Sequence, residues 1–130
     1  MRLFIVRHAE AAQGQPDDRR PLTPAGRTQA REVGRRLAAQ GVHPPVVLSS
    51  PLLRAVETAE EIARALGARV EADERLAPGV TPAEIRNVVL GLDGPVVLVG
   101  HQPDCGRAAA AFGDGEERPF PPAGVAAVEL

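Results

Sequence analysis

The chain has no lysine, tryptophan or tyrosine, and only one cysteine, one methionine, two serines and one asparagine among its 130 residues. Without lysine there is no Walker A lysine to hold a nucleotide phosphate, no Schiff base and no lysine general base. Three phenylalanines are the whole aromatic complement, and the net charge is −2. Bases would find little to stack on and phosphates no basic field, which argues against a nucleic-acid partner. The lone Cys105 cannot close an internal disulfide, which suits a reducing compartment. No run approaches the roughly 18 apolar residues of a membrane span, and the opening Met1-Arg2-Leu3-Phe4-Ile5-Val6-Arg7-His8 turns polar too early for a secretory leader. These absences together predict a soluble cytoplasmic protein with no membrane partner.

What is present is enough for one hydrophobic core, since 44% of the residues are apolar. A single domain over residues 1–130 is expected, with no repeat, linker or low-complexity tract. Leu3–Val6, Val46–Leu48 and Val96–Val99 are short β-branched runs that read as buried strands. A short strand near Arg69–Glu71 and a closing strand over 124–130 complete the set. Between them, Thr23-Pro24 caps a helix running to about Gly41, Ser49-Ser50-Pro51 caps a second, Thr81-Pro82-Ala83-Glu84 opens a third, and 103–112 reads as a fourth. Residues 13–22 and 73–79 read as loops. Strands alternating with helices imply an α/β fold with a mostly parallel central sheet flanked by helices.

In such sheets ligands bind beyond the carboxyl ends of the strands. Here those ends carry Arg7-His8, Ser49-Ser50 leading to Arg54, and His101. Two guanidiniums and two imidazoles near a helix start describe an anion site, and phosphate has oxygens enough for four donors. An attacking histidine must be neutral, and neighbouring arginines lower its pKa. Cations at the site also oppose a metal, so neither metal nor cofactor is expected.

Four ordered segments, Arg7-His8-Ala9-Glu10, Pro21-Leu22-Thr23-Pro24-Ala25-Gly26, Ser49-Ser50-Pro51-Leu52-Leu53-Arg54-Ala55 with Thr58-Ala59, and Val99-Gly100-His101, resemble the histidine phosphatase superfamily. The short length, Arg-His-Ala-Glu and Arg20-Pro21-Leu22-Thr23 look like its SixA-type phosphohistidine phosphatases. The resemblance implies a phosphoglycerate mutase-like fold and a metal-independent phosphatase that works through a covalent phosphohistidine on His8. Arg7 and Arg54 would bind the phosphoryl oxygens and His101 would stabilise the transferring group. Larger members place an acid where this chain has Asp73 and Glu74, so Glu74 is the expected general acid, with Asp73 and Glu10 as alternatives. Arg20 is expected to reach the phosphate or a substrate carboxylate, or else to pair with the neighbouring aspartates.

Three features take plainer readings. Arg27, Arg31 and Arg35 share a helix face, which is either solvated or open to an acidic partner. His43 is a loop residue. Cys105 lacks the arginine six residues on that a cysteine phosphatase needs, Ala111 standing there, and is a packed thiol. The expected substrate is a histidine-phosphorylated protein, because short connections leave no insertion to close a lid over the site. A small phosphomonoester is the alternative. A non-catalytic phosphate-binding module is disfavoured, since binding alone requires no nucleophile.

Overall fold

Leu3, Phe4, Ile5 and Val6 are all buried because their strand, Arg2–Arg7 (β1), lies between two others and is covered on both faces. The computed structural model describes residues 1–130. After β1 the chain runs through a 3₁₀ turn at Asp17–Arg19, helix Pro24–Ala39 (α1), strand Val46–Ser49 (β2), helix Leu53–Leu66 (α2) and strand Arg69–Ala72 (β3). A second 3₁₀ turn at Glu74–Leu76, helix Pro82–Val89 (α3), strand Val96–Gly100 (β4), helix Asp104–Phe112 (α4) and strand Val125–Glu129 (β5) follow. The sheet order is β3-β2-β4-β1-β5. β3, β2, β4 and β1 are parallel, and β5 runs antiparallel at the edge beside β1.

The alternation of side chains along each strand divides the core in two. Phe4, Val6, Val47, Val97 and Val99 pack with α1 and α2, whereas Leu3, Ile5, Val46, Leu48, Val96 and Leu98 pack with α3 and α4. The result is a three-layer α/β domain, as the strand and helix pattern implied.

The capped helices begin where their sequences place them. Thr23 Oγ1 accepts from the Gly26 N–H at 2.9 Å, and Thr81 Oγ1 from the Glu84 N–H at 3.2 Å, each with proline at the helix start. α2 is the exception, beginning at Leu53 with no side-chain cap rather than directly behind Ser49-Ser50-Pro51. Ser49 Oγ donates to the Ser50 carbonyl, and Ser50 Oγ meets His101 while also accepting the Leu52 N–H at 3.3 Å just ahead of the helix.

The arginine face of α1 is neither wholly solvated nor free for a partner. Arg27 and Arg31 reach across to Glu57 and Glu61 of α2 at 2.8 and 2.7 Å, and Arg35 pairs with Glu32. Glu61 is buried, and paired with Arg64 as well as Arg31 its carboxyl lies below the usual range despite burial, which acts the other way. Glu57 also accepts the Leu22 N–H at 2.8 Å, so the helix pair holds the end of the 11–22 excursion. Gly26 is required at its position, because a Cβ there would collide with the Glu10 carbonyl oxygen.

Candidate active site

β1 and β4 end in register at Arg7 and Gly100, and pairing continues past them. The His8 N–H donates to the Gly100 carbonyl at 2.9 Å, and the Ser50 N–H to the Val99 carbonyl at 3.0 Å. One sheet edge therefore carries Arg7-His8, Ser50 and His101 side by side. A cavity of about 350 Å³ opens there, and Arg7, His8, Glu10, Arg20, Arg54 and His101 all line it.

The His8 and His101 rings are neighbours, with centroids 5.3 Å apart and planes tilted by 56°. His8 Nδ1 lies 2.8 Å from the Ala9 carbonyl oxygen, and the Ala9 N–H donates to Thr58 Oγ1 at 3.0 Å, which fixes the peptide following His8. Burial, then Arg54, Arg7 and Arg20, pull the His8 pKa down to about 4, opposed by the Ala9 hydrogen bond. His101 falls to about 3, again chiefly through burial and then through His8, Arg54 and Arg7, with Asp17 acting the other way. Both rings are neutral at pH 7. The arginines contribute as expected, but desolvation is the larger cause.

Each arginine is anchored at its far end. Arg7 Nη1 donates to the Phe120 carbonyl at 2.8 Å. Arg54, in the first turn of α2, is off the apolar stripe yet buried, and donates through Nη1 to the Asp17 carbonyl at 2.9 Å and through Nη2 to Asp17 Oδ2 at 3.3 Å. Thr58 Oγ1 donates to the Arg54 carbonyl at 2.8 Å, so one hydroxyl ties the α2 backbone to the turn after His8. Arg20 pairs with Asp17 Oδ1 at 3.0 Å and also lines the cavity.

Three buried side-chain polar atoms have no hydrogen-bond partner: Arg7 Nε, Arg54 Nε and His101 Nδ1. A buried donor left unmet costs about 1–3 kcal/mol, and native proteins rarely tolerate it without a reason. All three belong to side chains that line this cavity. A tetrahedral anion in front of His8 has the acceptors to satisfy them.

The carboxylates fall out differently from expectation. Glu74 is exposed on its 3₁₀ turn and does not line the cavity. Leu76 is buried beneath that turn, and Asp73 caps it by accepting from the Arg75 N–H at 2.9 Å, so the turn is anchored with Glu74 in solvent. Asp73 also pairs with the Arg75 guanidinium, which holds its carboxyl below the usual range. Glu10 is the carboxylate among the lining residues, and its Oε2 accepts from the Thr23 hydroxyl at 2.6 Å. Cys105 is buried with its thiol near the Val6 carbonyl, and burial pushes its pKa up to about 12. No three histidine, cysteine, aspartate or glutamate side chains converge on a metal-sized site.

Two contributors escaped the sequence reading. Ser50 Oγ lies 2.7 Å from His101 Nε2 and orients that ring, yet a serine after a strand and before proline reads equally well as a helix cap. Asp17 looked like a partner for Arg20 alone, and nothing in the spacing linked it to Arg54, 37 residues away.

Comparison with known proteins agrees with this arrangement. Residues 3–78 match the model of the histidine phosphatase superfamily, branch 1. Phosphohistidine phosphatase SixA of Escherichia coli K12 is 33% identical over 100% of this chain and 86% of its own length. A solved structure of the protein histidine phosphatase SixA complexed with tungstate superposes with a TM-score of 0.88 at 31% identity, covering 100% of this chain and 88% of that one. A putative phosphohistidine phosphatase SixA from Agrobacterium tumefaciens gives 0.83 at 25% identity, over 97% of this chain and 88% of the other. With its matching motifs gathered at one sheet edge, the chain belongs to the histidine phosphatase superfamily and is of the SixA type.

Proposed function

We propose that the protein is a metal-independent cytoplasmic phosphatase acting in signalling, which removes phosphate from histidine side chains of other proteins through a covalent phosphohistidine on its own His8. The observation that carries this reading is the set of three unpartnered buried atoms, Arg7 Nε, Arg54 Nε and His101 Nδ1, around a neutral imidazole. In the first step the His8 Nε2 lone pair attacks phosphorus, a new P–N bond forms, and the substrate's P–N bond breaks. The substrate imidazole leaves neutral if its ring was protonated beforehand. Arg7, Arg54 and His101 hold the equatorial oxygens as charge redistributes, the kind of preorganised stabilisation that is usually the largest single contribution. Water then attacks the phosphoryl group, the bond to Nε2 breaks, and inorganic phosphate departs with His8 restored.

Two further observations favour a protein substrate. The likeness to phosphohistidine phosphatase SixA runs along the whole chain. A groove of about 550 Å³ between α1 and the 121–125 segment also adjoins the cavity, with Pro122 lining both, so the surface continues beyond the space a phosphoryl group fills. The second reading, a small phosphomonoester phosphatase, is favoured by Glu10, a carboxylate in the cavity that can protonate a departing alkoxide.

The test is release of phosphate from a histidine-phosphorylated protein, a nucleoside monophosphate and a phosphoglycerate, measured side by side with and without EDTA. A kcat/KM at least about tenfold higher for phosphohistidine, unaffected by EDTA, is the expected result. Higher efficiency on either small ester would replace this reading by the second.

A further inference from the structure

We infer that Asp17 is a positioning residue, which turns Arg54 so that the side of its guanidinium, and not its end, faces the phosphoryl group. A guanidinium offers five N–H bonds, and two of its edges can each grip an anion with two parallel bonds. One edge lies between the terminal nitrogens, and the other includes Nε. Asp17 engages both terminal nitrogens: its carbonyl takes Nη1 at 2.9 Å and its Oδ2 takes Nη2 at 3.3 Å. What remains is Nε, which is buried and without a partner, together with one further N–H on each terminal nitrogen, that of Nη2 lying beside Nε. The end of Arg54 is thus occupied by the protein, and its lateral edge is kept for the ligand.

The same carboxylate reaches a second arginine. Asp17 Oδ1 accepts from Arg20 Nε at 3.0 Å, and Arg20 Nη1 donates to the Ala12 carbonyl at 3.2 Å. One side chain therefore spaces two of the three cavity guanidiniums, which would otherwise repel each other. Bonds to both arginines hold the Asp17 carboxyl below its usual pKa range, Arg20 contributing first, so it remains an anion throughout the working pH range. An ionised carboxylate suits an anchor. The 3₁₀ turn from Asp17 to Arg19 has no buried residues, so it contributes little to the core and its placement serves the cavity.

The inference rests on Arg54 being a phosphoryl ligand, and not on which phosphorylated substrate is preferred. Its experiment therefore reads inorganic phosphate binding by calorimetry, alongside kcat/KM on para-nitrophenyl phosphate. Misplacing a ligand by about 1 Å can cost on the order of 10²-fold, so Asp17→Ala is expected to weaken phosphate binding about tenfold and lower kcat/KM by 10- to 100-fold. Its melting temperature should stay near that of the wild type, because Asp17 is exposed. The near-isosteric Asp17→Asn, which keeps a side-chain acceptor and loses the charge, should fall between wild type and Asp17→Ala, and serves if the alanine variant folds poorly. In an Arg54→Ala background Asp17→Ala should add no more than about twofold, since the arginine it positions is gone. Wild-type phosphate affinity in both Asp17 variants would overturn the inference. So would full additivity with Arg54→Ala, which would mean that Asp17 acts independently of that arginine.

Discussion

His8 Nδ1 sits 2.8 Å from the carbonyl oxygen of Ala9, the next residue. A carbonyl only accepts, so Nδ1 carries the ring proton and the lone pair is on Nε2. Rapid quenching during turnover should trap an acid-labile phosphoryl group on His8, attached at Nε2 and identifiable by ³¹P NMR. His8→Ala should lower kcat by more than about 10³-fold while the protein stays folded. Label at Nδ1, or on another residue, would contradict this assignment.

The two ring pKa values make acid behaviour a second check. Both histidines lie well below 6.5, at about 4 and about 3, because burial disfavours their charged forms. Between those values and 6.5 the unfolded chain binds more protons than the folded one. Stability from this source is therefore complete above pH 6.5 and is lost as pH falls toward 4. Urea unfolding at pH 7 and pH 5 should show that loss, and His8→Gln should reduce it. NMR titration of the free protein should find neither ring half-protonated above pH 5.

Much of this site was legible because its residues sit at strand ends. Arg7-His8 and His101 follow apolar runs, and once those runs pair in parallel the three side chains must meet. Arg54 was legible from its place at a helix start. What the sequence could not convey was the far end of each arginine. Phe120 and Asp17 provide backbone carbonyls, which carry no side-chain signature, from segments 113 and 37 residues away. Glu74 lies outside the cavity, and its placement was hidden for the opposite reason. A carboxylate in an irregular loop looks available, and only the burial of Leu76 reveals which way the turn is held.

Arg54→Ala should reduce kcat/KM by on the order of 10²–10³, the usual cost of one preorganised donor to developing charge. Arg54→Lys should recover little, because an ammonium keeps the charge but loses the lateral edge that leaves Nε free. Weakened phosphate inhibition in both variants would accompany the loss. A decline below tenfold would remove Arg54 from the phosphate site.

Gly26→Ala probes how α1 supports the cavity. Its Cβ would strike the backbone carbonyl of Glu10, which cannot swing aside as a side chain would, and Glu10 lines the cavity. Destabilisation of about 1–3 kcal/mol is expected, the usual cost of overpacking. Activity should drop beyond what the unfolded fraction explains, because the strain falls two residues from His8. An unchanged melting curve would show that α1 shifts freely.

The carboxylates separate the two candidate substrates by the demands of their leaving groups. An alkoxide is a poor, strongly basic leaving group, so a monoesterase needs an acid within reach of the bridging oxygen. Imidazole leaves more readily, and its second nitrogen can already hold a proton near neutral pH. Glu10 lines the cavity and Glu74 does not, so the two glutamates should respond differently. Glu74→Gln is expected to stay within about twofold of wild type on both substrates, as an exposed carboxylate outside the cavity should. Glu10→Gln keeps an acceptor for the Thr23 hydroxyl and removes the carboxyl group that would serve a leaving alkoxide. It should slow alkyl phosphate hydrolysis by on the order of 10²-fold or more and phosphohistidine hydrolysis by less than tenfold. Equal losses on both substrates would place Glu10 in phosphate binding or in holding the turn after His8. A large loss on either substrate from Glu74→Gln would mean that the 74–76 turn moves to the cavity during catalysis.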